Sequence, residues 1–342
     1  MNESQNKAQT TVLITGASGF IGTSLVEDAL TRGMNVLAAV RPTSSRKYLQ
    51  DKRITLVELD FLSIDALTER LREITSANGS IDYIVHNAGI TKARKVDDYF
   101  EVNTRYTRNF LEALVKSNIT PAKFVLMSSL AAYGPGNSDT MVPINSGQTP
   151  APVTAYGRSK LQAEQILKSQ RDIPWMIIRP TAVFGPREKE IFALFRLIKL
   201  HLHPWIKVSN QRMSFIYVKD LARAVLDAVV SPLSDRAYFI SDGQAYKGDV
   251  FGKYVKKALG KKAPDIAVSG NLMKIIARIL ETTGSILGRT PGLNVDKAIE
   301  LSSKNWVCDI SAAVTDLNFK PLYSLENAIQ ETVNWYKAEG WL

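Results

Sequence analysis

In the first half of the chain, short apolar runs alternate with longer stretches whose apolar residues recur at helical spacing. The runs Thr11–Thr15, Asn35–Val40, Thr55–Glu58, Ile81–His86, Lys123–Ser128 and Trp175–Arg179 predict strands. Their near-continuous apolar character suits strands buried on both faces. Between them the pattern predicts helices over Phe20–Arg32, Ile64–Ala77, Asp98–Ser117 and Ala155–Lys168. That alternation predicts an α/β fold with a doubly wound parallel sheet. From about Gly185 strands become sparse and helical stretches dominate, at Val218–Ser231, Lys247–Gly260, Asn271–Leu287 and Ser324–Glu339. The expected organisation is a disordered polar N-terminus over 1–10, a sheet domain over 11–185 and a smaller, mainly helical lobe over 186–342. Residues 205–240 are expected to return to the sheet domain.

Composition narrows the class. The 342 residues are 45% apolar and 22% charged, which is ordinary for a globular protein and excludes a fibre or a low-complexity scaffold. The one cysteine, Cys308, leaves no internal disulfide framework and fits a reducing compartment. The opening MNESQNKAQT has no apolar core of a secretory signal, and no uncharged apolar run is long enough to span a bilayer. A cytoplasmic protein is expected.

The net charge of +10 raises the question of an anionic partner. Cations cluster at Arg41–Arg53 and at Lys253, Lys256, Lys257, Lys261 and Lys262. The lysines lie on an amphipathic helical pattern and read as a solvated face. No nucleic-acid motif accompanies either cluster, so that class is set aside. His201 and His203 form HLHP without a nearby carboxylate or thiol to complete a metal site, and no metal is expected.

Between the first strand and first helix lies Thr15-Gly16-Ala17-Ser18-Gly19-Phe20-Ile21-Gly22. Glycines there let the backbone turn tightly and approach a pyrophosphate, while free N–H groups at the helix start point toward it. A Rossmann-like dinucleotide domain follows, with GxxGxxG spacing. The second strand ends Val40-Arg41-Pro42-Thr43-Ser44-Ser45-Arg46-Lys47, without the carboxylate that would bind the adenosine ribose hydroxyls. Arg41 and Ser44 instead suit a 2′-phosphate, which favours NADP(H) over NAD. Asp60 and Phe61 are positioned to hold adenine, with Asp60 capping the next helix as the alternative.

Tyr156-Gly157-Arg158-Ser159-Lys160 puts a phenol and an ammonium four residues apart, on one helical face. A phenol is a poor base at neutral pH unless a nearby positive charge favours phenolate. So tuned, the pair exchanges a proton with a substrate hydroxyl or carbonyl while hydride moves to or from the cofactor. Ser128-Ser129, at the C-terminal end of a strand, offers a hydroxyl to the same substrate oxygen.

TGASGFIG (15–22), HNAG (86–89), MSSLAAYG (127–134), YGRSK (156–160), RPTAVFGP (179–186) and FIYVKDLARA (215–224) follow one another in a characteristic order. Together they resemble an extended short-chain dehydrogenase/reductase of the NAD-dependent epimerase/dehydratase family. The resemblance implies that Ser129 is the catalytic serine and Tyr156 the acid/base. Lys160 would tune Tyr156 and bind the nicotinamide ribose. Asn103 matches the family's helix asparagine. Asn87, Ala88 and Gly89 would pass close to the cofactor, and Pro180, Thr181 and Val183 would frame the nicotinamide. His86 reads as a packed strand-end residue. A homodimer through Asp98–Ser117 and Ala155–Lys168 is the family expectation.

Within the family two enzymatic branches compete. Nucleotide-sugar epimerases and dehydratases hold NAD tightly, usually with an acidic residue where Arg41 stands. The GDG turn and Arg-Asp-Phe common there are absent from Lys207–Phe215, although Arg212 remains available to a phosphate, and Ala131 stands where a Thr is common. The second branch resembles dihydroflavonol reductases and 3β-hydroxysteroid dehydrogenases, which perform net redox on bulkier, more apolar substrates. The reductase branch is favoured. A cofactor-binding redox sensor without turnover is a third class, but such relatives often lose the Tyr or Lys kept here. Leu272, Ile275, Ile276, Ile279, Leu280 and Leu287 form a helical stripe that reads first as core, and otherwise as a pocket wall or a membrane rest. The loop Thr91-Lys92-Ala93-Arg94-Lys95 is either solvated or open to an anionic substrate group.

Overall fold

The computed structural model describes residues 9–286 and 294–342. The expected disordered N-terminus falls mostly, and the predicted helix end at Leu287 wholly, outside these residues.

The first six strands are β1 (Thr11–Thr15), β2 (Asn35–Val40), β3 (Ile54–Glu58), β4 (Tyr83–His86), β5 (Lys123–Met127) and β6 (Trp175–Pro180). Helices α1 (Phe20–Thr31), α2 (Ile64–Asn78), α3 (Val96–Tyr99), α4 (Tyr106–Lys116) and α5 (Ala155–Lys168) separate them. Then come β7 (Ala182–Phe184), α6 (Phe192–Lys199), β8 (His203–Lys207), β9 (Arg212–Met213), β10 (Phe215–Tyr217), α7 (Val218–Val230) and β11 (Arg236–Ile240). The remainder is β12 (Tyr246–Lys247), α8 (Val250–Leu259), β13 (Asp265–Ser269), α9 (Gly270–Ile286), α10 (Val295–Ser302), β14 (Asn305–Trp306), α11 (Ser311–Leu317) and α12 (Leu325–Ala338).

The main sheet has seven strands in the order β11-β6-β5-β4-β1-β2-β3, every neighbouring pair parallel. The fold is Rossmann-like. Chain direction across the sheet reverses between β1 and β4, so the crevice beyond their C-terminal ends is where such a sheet receives a ligand. One face buries Leu25, Val225 and Leu317 from α1, α7 and α11. The other buries Leu67, Phe110 and Leu167 from α2, α4 and α5. A separate aromatic cluster around Phe184, Phe195, Phe215, Phe251 and Tyr336 forms the core of the C-terminal lobe.

Several elements depart from the sequence pattern. The sparse-strand reading beyond Gly185 missed β11, whose RAYFI run is fully paired to β6. It also missed short strands such as β8, whose pairing with β13 joins residues some sixty positions apart. The predicted helix over Asp98–Ser117 is α3, a π-helical segment at Phe100–Arg105, and α4. The wider turn brings Asn103 to bear on α5, and π segments of this kind are frequent at functional sites.

The stripe on α9 is not core. Leu272, Ile275, Ile276, Ile279 and Leu280 are all exposed, whereas Ala277 is wholly buried. At about 100° per residue, Leu272 and Ile275 lie on the side of the helix opposite Ala277. The lysine cluster is also not simply solvated: Lys253, Lys256 and Lys257 pair with Asp249, Asp265 and Glu326.

Candidate active site

The glycine loop is built for close approach. Gly16 has φ +65°, and an added Cβ would lie 3.0 Å from the backbone of Ala88 at the end of β4. At Gly22 a Cβ would stand 2.1 Å from the carbonyl oxygen of Gly16, which no side chain tolerates. Gly19 caps α1 without a side-chain bond, and no carboxylate occupies the first turn. Ser18, Phe20 and Ile21 complete this loop and the first turn of α1, and Gly16 within it packs against Asn87 and Ala88, which precede Gly89. Such a helix start favours an anion.

Tyr156 and Lys160 lie in the first turns of α5, whose N-terminus is capped by the Thr154 hydroxyl accepting from the Gly157 N–H at 3.1 Å. Asp296 Oδ2, from α10, accepts the Ala155 N–H at 2.7 Å. Burial raises the pKa of the Tyr156 phenol, and the nearby Ser129 hydroxyl opposes that rise. Ser129 itself accepts from Ala131 N–H at 3.1 Å, which fixes its rotamer. Lys160 is buried and donates from Nζ to the Met127 carbonyl at 2.8 Å. Burial lowers its pKa to about 8, against the favourable charge of Glu164.

Asn103 does not hydrogen-bond Tyr156. Its Oδ1 accepts from Ile90 N–H at 2.8 Å, while Nδ2 donates to the Ile90 carbonyl and to Ser159 Oγ. A Cβ at Gly89 would meet Asn103 Oδ1 at 2.9 Å and Lys160 Nζ at 3.1 Å, so these three residues share one small space. Pro180, Thr181 and Val183 line the end of β6 and the start of β7, with the Thr181 hydroxyl donated to the Ser214 carbonyl at 2.7 Å.

A family model for the NAD dependent epimerase/dehydratase family matches residues 12–240. The chain belongs to that family. It is an extended short-chain dehydrogenase/reductase, an NAD(P)-dependent enzyme type acting on CH–OH carbons. It is 27% identical to a ceramide reductase of Caulobacter vibrioides, over 98% of this chain and 97% of that protein. It is 26% identical to a 3-beta-hydroxysteroid dehydrogenase of Mycolicibacterium neoaurum, over 95% and 91%. In fold it is similar to the UDP-glucose 4-epimerase of Thermotoga maritima, at 19% identity and TM-score 0.77, covering 96% of this chain and 99% of that one.

A dinucleotide of this family fits the residues present. Gly16, Gly19 and Gly22 let the loop between β1 and α1 pack tightly on itself and on Ala88, leaving the start of α1 without a blocking side chain, and Lys160 holds a buried ammonium beside Gly89. At the ends of β2 and β3 a cleft of 810 Å³ is lined by Arg41, Arg46, Glu58, Asp60 and Arg70 among others. Ser44 Oγ accepts the Arg41 N–H at 3.1 Å and shapes that turn. Asp60 does not cap α2, whose N-cap is Ser63; its Oδ1 accepts the Leu62 N–H instead. The Phe61 ring stacks on Tyr106 and meets Phe110 edge-on.

His86 is a packed residue, as read from sequence. It is wholly buried between Thr15 and Thr107 hydroxyls, and burial lowers its pKa to about 3. His203 pairs with Asp265 and His201 with the Lys262 carbonyl, and no metal-ligating cluster occurs among the described residues. In the loop after β4, Lys92 pairs with Glu190 at 3.4 Å, so its charge is already answered.

Sequence reasoning in this short-chain dehydrogenase/reductase missed two groups. Glu164, fully buried, accepts from Ser128 Oγ at 2.5 Å and from Arg179 Nε and Nη2 at 2.9 and 2.7 Å. Arg179 also lies over the Tyr133 ring at 4.5 Å. The i, i+4 spacing of Lys160 and Glu164 was the available signal. The second group comes from α10: besides Asp296, Glu300 accepts from Thr154 Oγ1 at 3.4 Å, and Asn294 donates to the Tyr99 hydroxyl at 3.3 Å. Tyr99 in turn packs 6.1 Å from the Tyr156 ring. Nothing in the local sequence around 294–300 announces that role.

Proposed function

We propose that the protein is an NADP(H)-dependent oxidoreductase that interconverts a carbonyl and a secondary alcohol on a bulky, apolar small molecule. The observation that carries this reading is the convergence of Ser129, Tyr156 and Lys160 at the crevice, with arginines at the end of β2. The bound dinucleotide supplies or accepts hydride. Tyr156 holds the proton that the substrate oxygen gains or loses. Ser129 donates a hydrogen bond to that oxygen, and Lys160 supplies the positive charge that makes phenolate accessible. Asn103 orients the Ile90 loop and Ser159, and acts on the reaction through them.

Arg41, with Arg46 and Arg70 nearby, supports a 2′-phosphate at the cleft, since guanidinium groups bind phosphate by paired hydrogen bonds. The names of the ceramide reductase and hydroxysteroid dehydrogenase relatives support an apolar substrate class. The test is a panel of hydroxysteroids, long-chain ketones and UDP-sugars, followed through absorbance of the reduced nicotinamide. Turnover of apolar ketones with NADPH supports the proposal. Epimerisation of a UDP-sugar with no net change in cofactor would replace it with the epimerase reading.

A further inference from the structure

We propose that the edge of the C-terminal lobe formed by α9, β8, β13 and the end of α6 docks on the surface of an anionic lipid bilayer. No helix among the described residues is long and apolar enough to cross a membrane, so the contact is interfacial.

The apolar side of that edge faces solvent. Leu272 and Ile275 project from α9 on the side opposite its buried Ala277, and Ile275 is 52% exposed. Beside them stand Leu200, 66% exposed, and Leu202, in the turn from α6 into β8. Ile266 on β13 is also exposed. These elements form one edge of the fold: β13 pairs in parallel with β8, and α9 packs on both. The His201 ring bonds the Lys262 carbonyl at 2.7 Å and ties the α6–β8 turn to the strand that follows α8. A water-facing apolar stripe of this kind lacks the polar outer face expected of a surface helix.

Charge selects the occupant. Arg196, Lys199, Lys207, Lys261 and Lys262 border the same edge, are exposed, and make no ion pair among the described residues. A shallow cleft of 590 Å³ is lined by Lys256, Lys257, Lys261 and Lys262 with Gly260 and Pro264. The nearby carboxylate of Asp265 is already committed to Lys256 and His203. A second copy of this chain would set cations against cations. Anionic headgroups complement them, while the acyl region accepts the leucine and isoleucine side chains.

Location gives the contact a use. Glu281 of α9 accepts the Val295 N–H at 3.1 Å, and α10 beyond it caps the helix that carries Tyr156. The docked edge therefore adjoins the element that covers the catalytic tyrosine.

The experiment is vesicle co-sedimentation of the full chain, comparing phosphatidylcholine vesicles with vesicles containing phosphatidylglycerol. The expected result is binding to the anionic vesicles, weakened by salt, and little binding to the neutral ones. Two variant pairs, L272S with I275S and K261E with K262E, are each expected to weaken it by about tenfold or more. All four side chains are exposed, and unchanged melting temperature with unchanged cofactor binding verifies the fold. Failure of the wild-type protein to bind anionic vesicles would overturn the proposal. So would a solution dimer that the L272S and I275S pair converts to monomer, because a second copy would then own this face.

Discussion

Lys160 reaches from α5 to donate its buried ammonium to the Met127 carbonyl at the end of β5, 2.8 Å away. That bond spans helix and sheet at the floor of the crevice. It holds a positive charge where water cannot screen it, so the charge acts strongly on its surroundings.

The consequence is a pH dependence with two opposite signs. Lys160 has its pKa lowered from 10.5 to about 8 by burial. Between those values the unfolded chain binds the extra proton, so this group's contribution to stability rises as pH rises from about 8 to 10.5. The positive charge that the proposed mechanism requires is lost over the same range. Activity at saturating cofactor and substrate is expected to fall above about pH 8 while the Lys160 stability penalty shrinks. Comparing Lys160→Met with the wild type in pH–rate profiles and melting curves tests this; a variant with an unchanged profile contradicts it.

Tyr156→Phe removes one oxygen and leaves the ring that packs on Tyr99. Turnover is expected to drop by about 10³-fold or more, in line with loss of a positioned acid/base. Cofactor affinity should stay within about twofold. Parallel loss of cofactor binding would assign the phenol to binding rather than proton transfer.

Gly22→Ala places a methyl group 2.1 Å from the Gly16 carbonyl, which the loop must move to accept. Overpacking of this kind costs about 1–3 kcal/mol. A lowered melting temperature and a cofactor affinity reduced at least tenfold are expected from calorimetry. Alanine tolerated on both counts would remove the close-approach argument for this loop.

Glu164 and Arg179 are both essentially unexposed, so each is the other's compensation for burial. Glu164→Gln alone is expected to destabilise by about 3–5 kcal/mol, read from urea unfolding, because the Arg179 charge is left unpaired, and Arg179→Met should cost less because Lys168 remains 3.8 Å from Glu164. The double variant should recover part of that loss. A double variant as damaged as the sum of the singles would mean that the two residues do not depend on each other.

The sheet was legible because its strands are buried on both faces and so are written as continuous apolar runs. β1 and β2 fall where the pattern puts them, and TGASGFIG lies at the turn between β1 and α1. β11 was overlooked because RAYFI is short and follows a long helix, although the return of 205–240 to the sheet domain was expected. The exposed face of α9 was misread for a different reason: periodicity reports that an apolar face exists, not what covers it. Asp296 and Glu300 were invisible because they meet the start of α5, and Asn294 because it meets Tyr99, only after the chain has folded back over more than a hundred residues.

Arg41 carries the most specific part of the account, and cofactor titration tests it most directly. NADPH and NADH are added in turn to stripped protein at fixed salt, with binding followed by fluorescence. NADPH is expected to bind at least tenfold more tightly and to exchange freely, and Arg41→Ser should erase most of that preference. A protein that purifies with tightly retained NAD, or binds NADH as well as NADPH, would contradict the account and move the reading to a nucleotide-sugar epimerase.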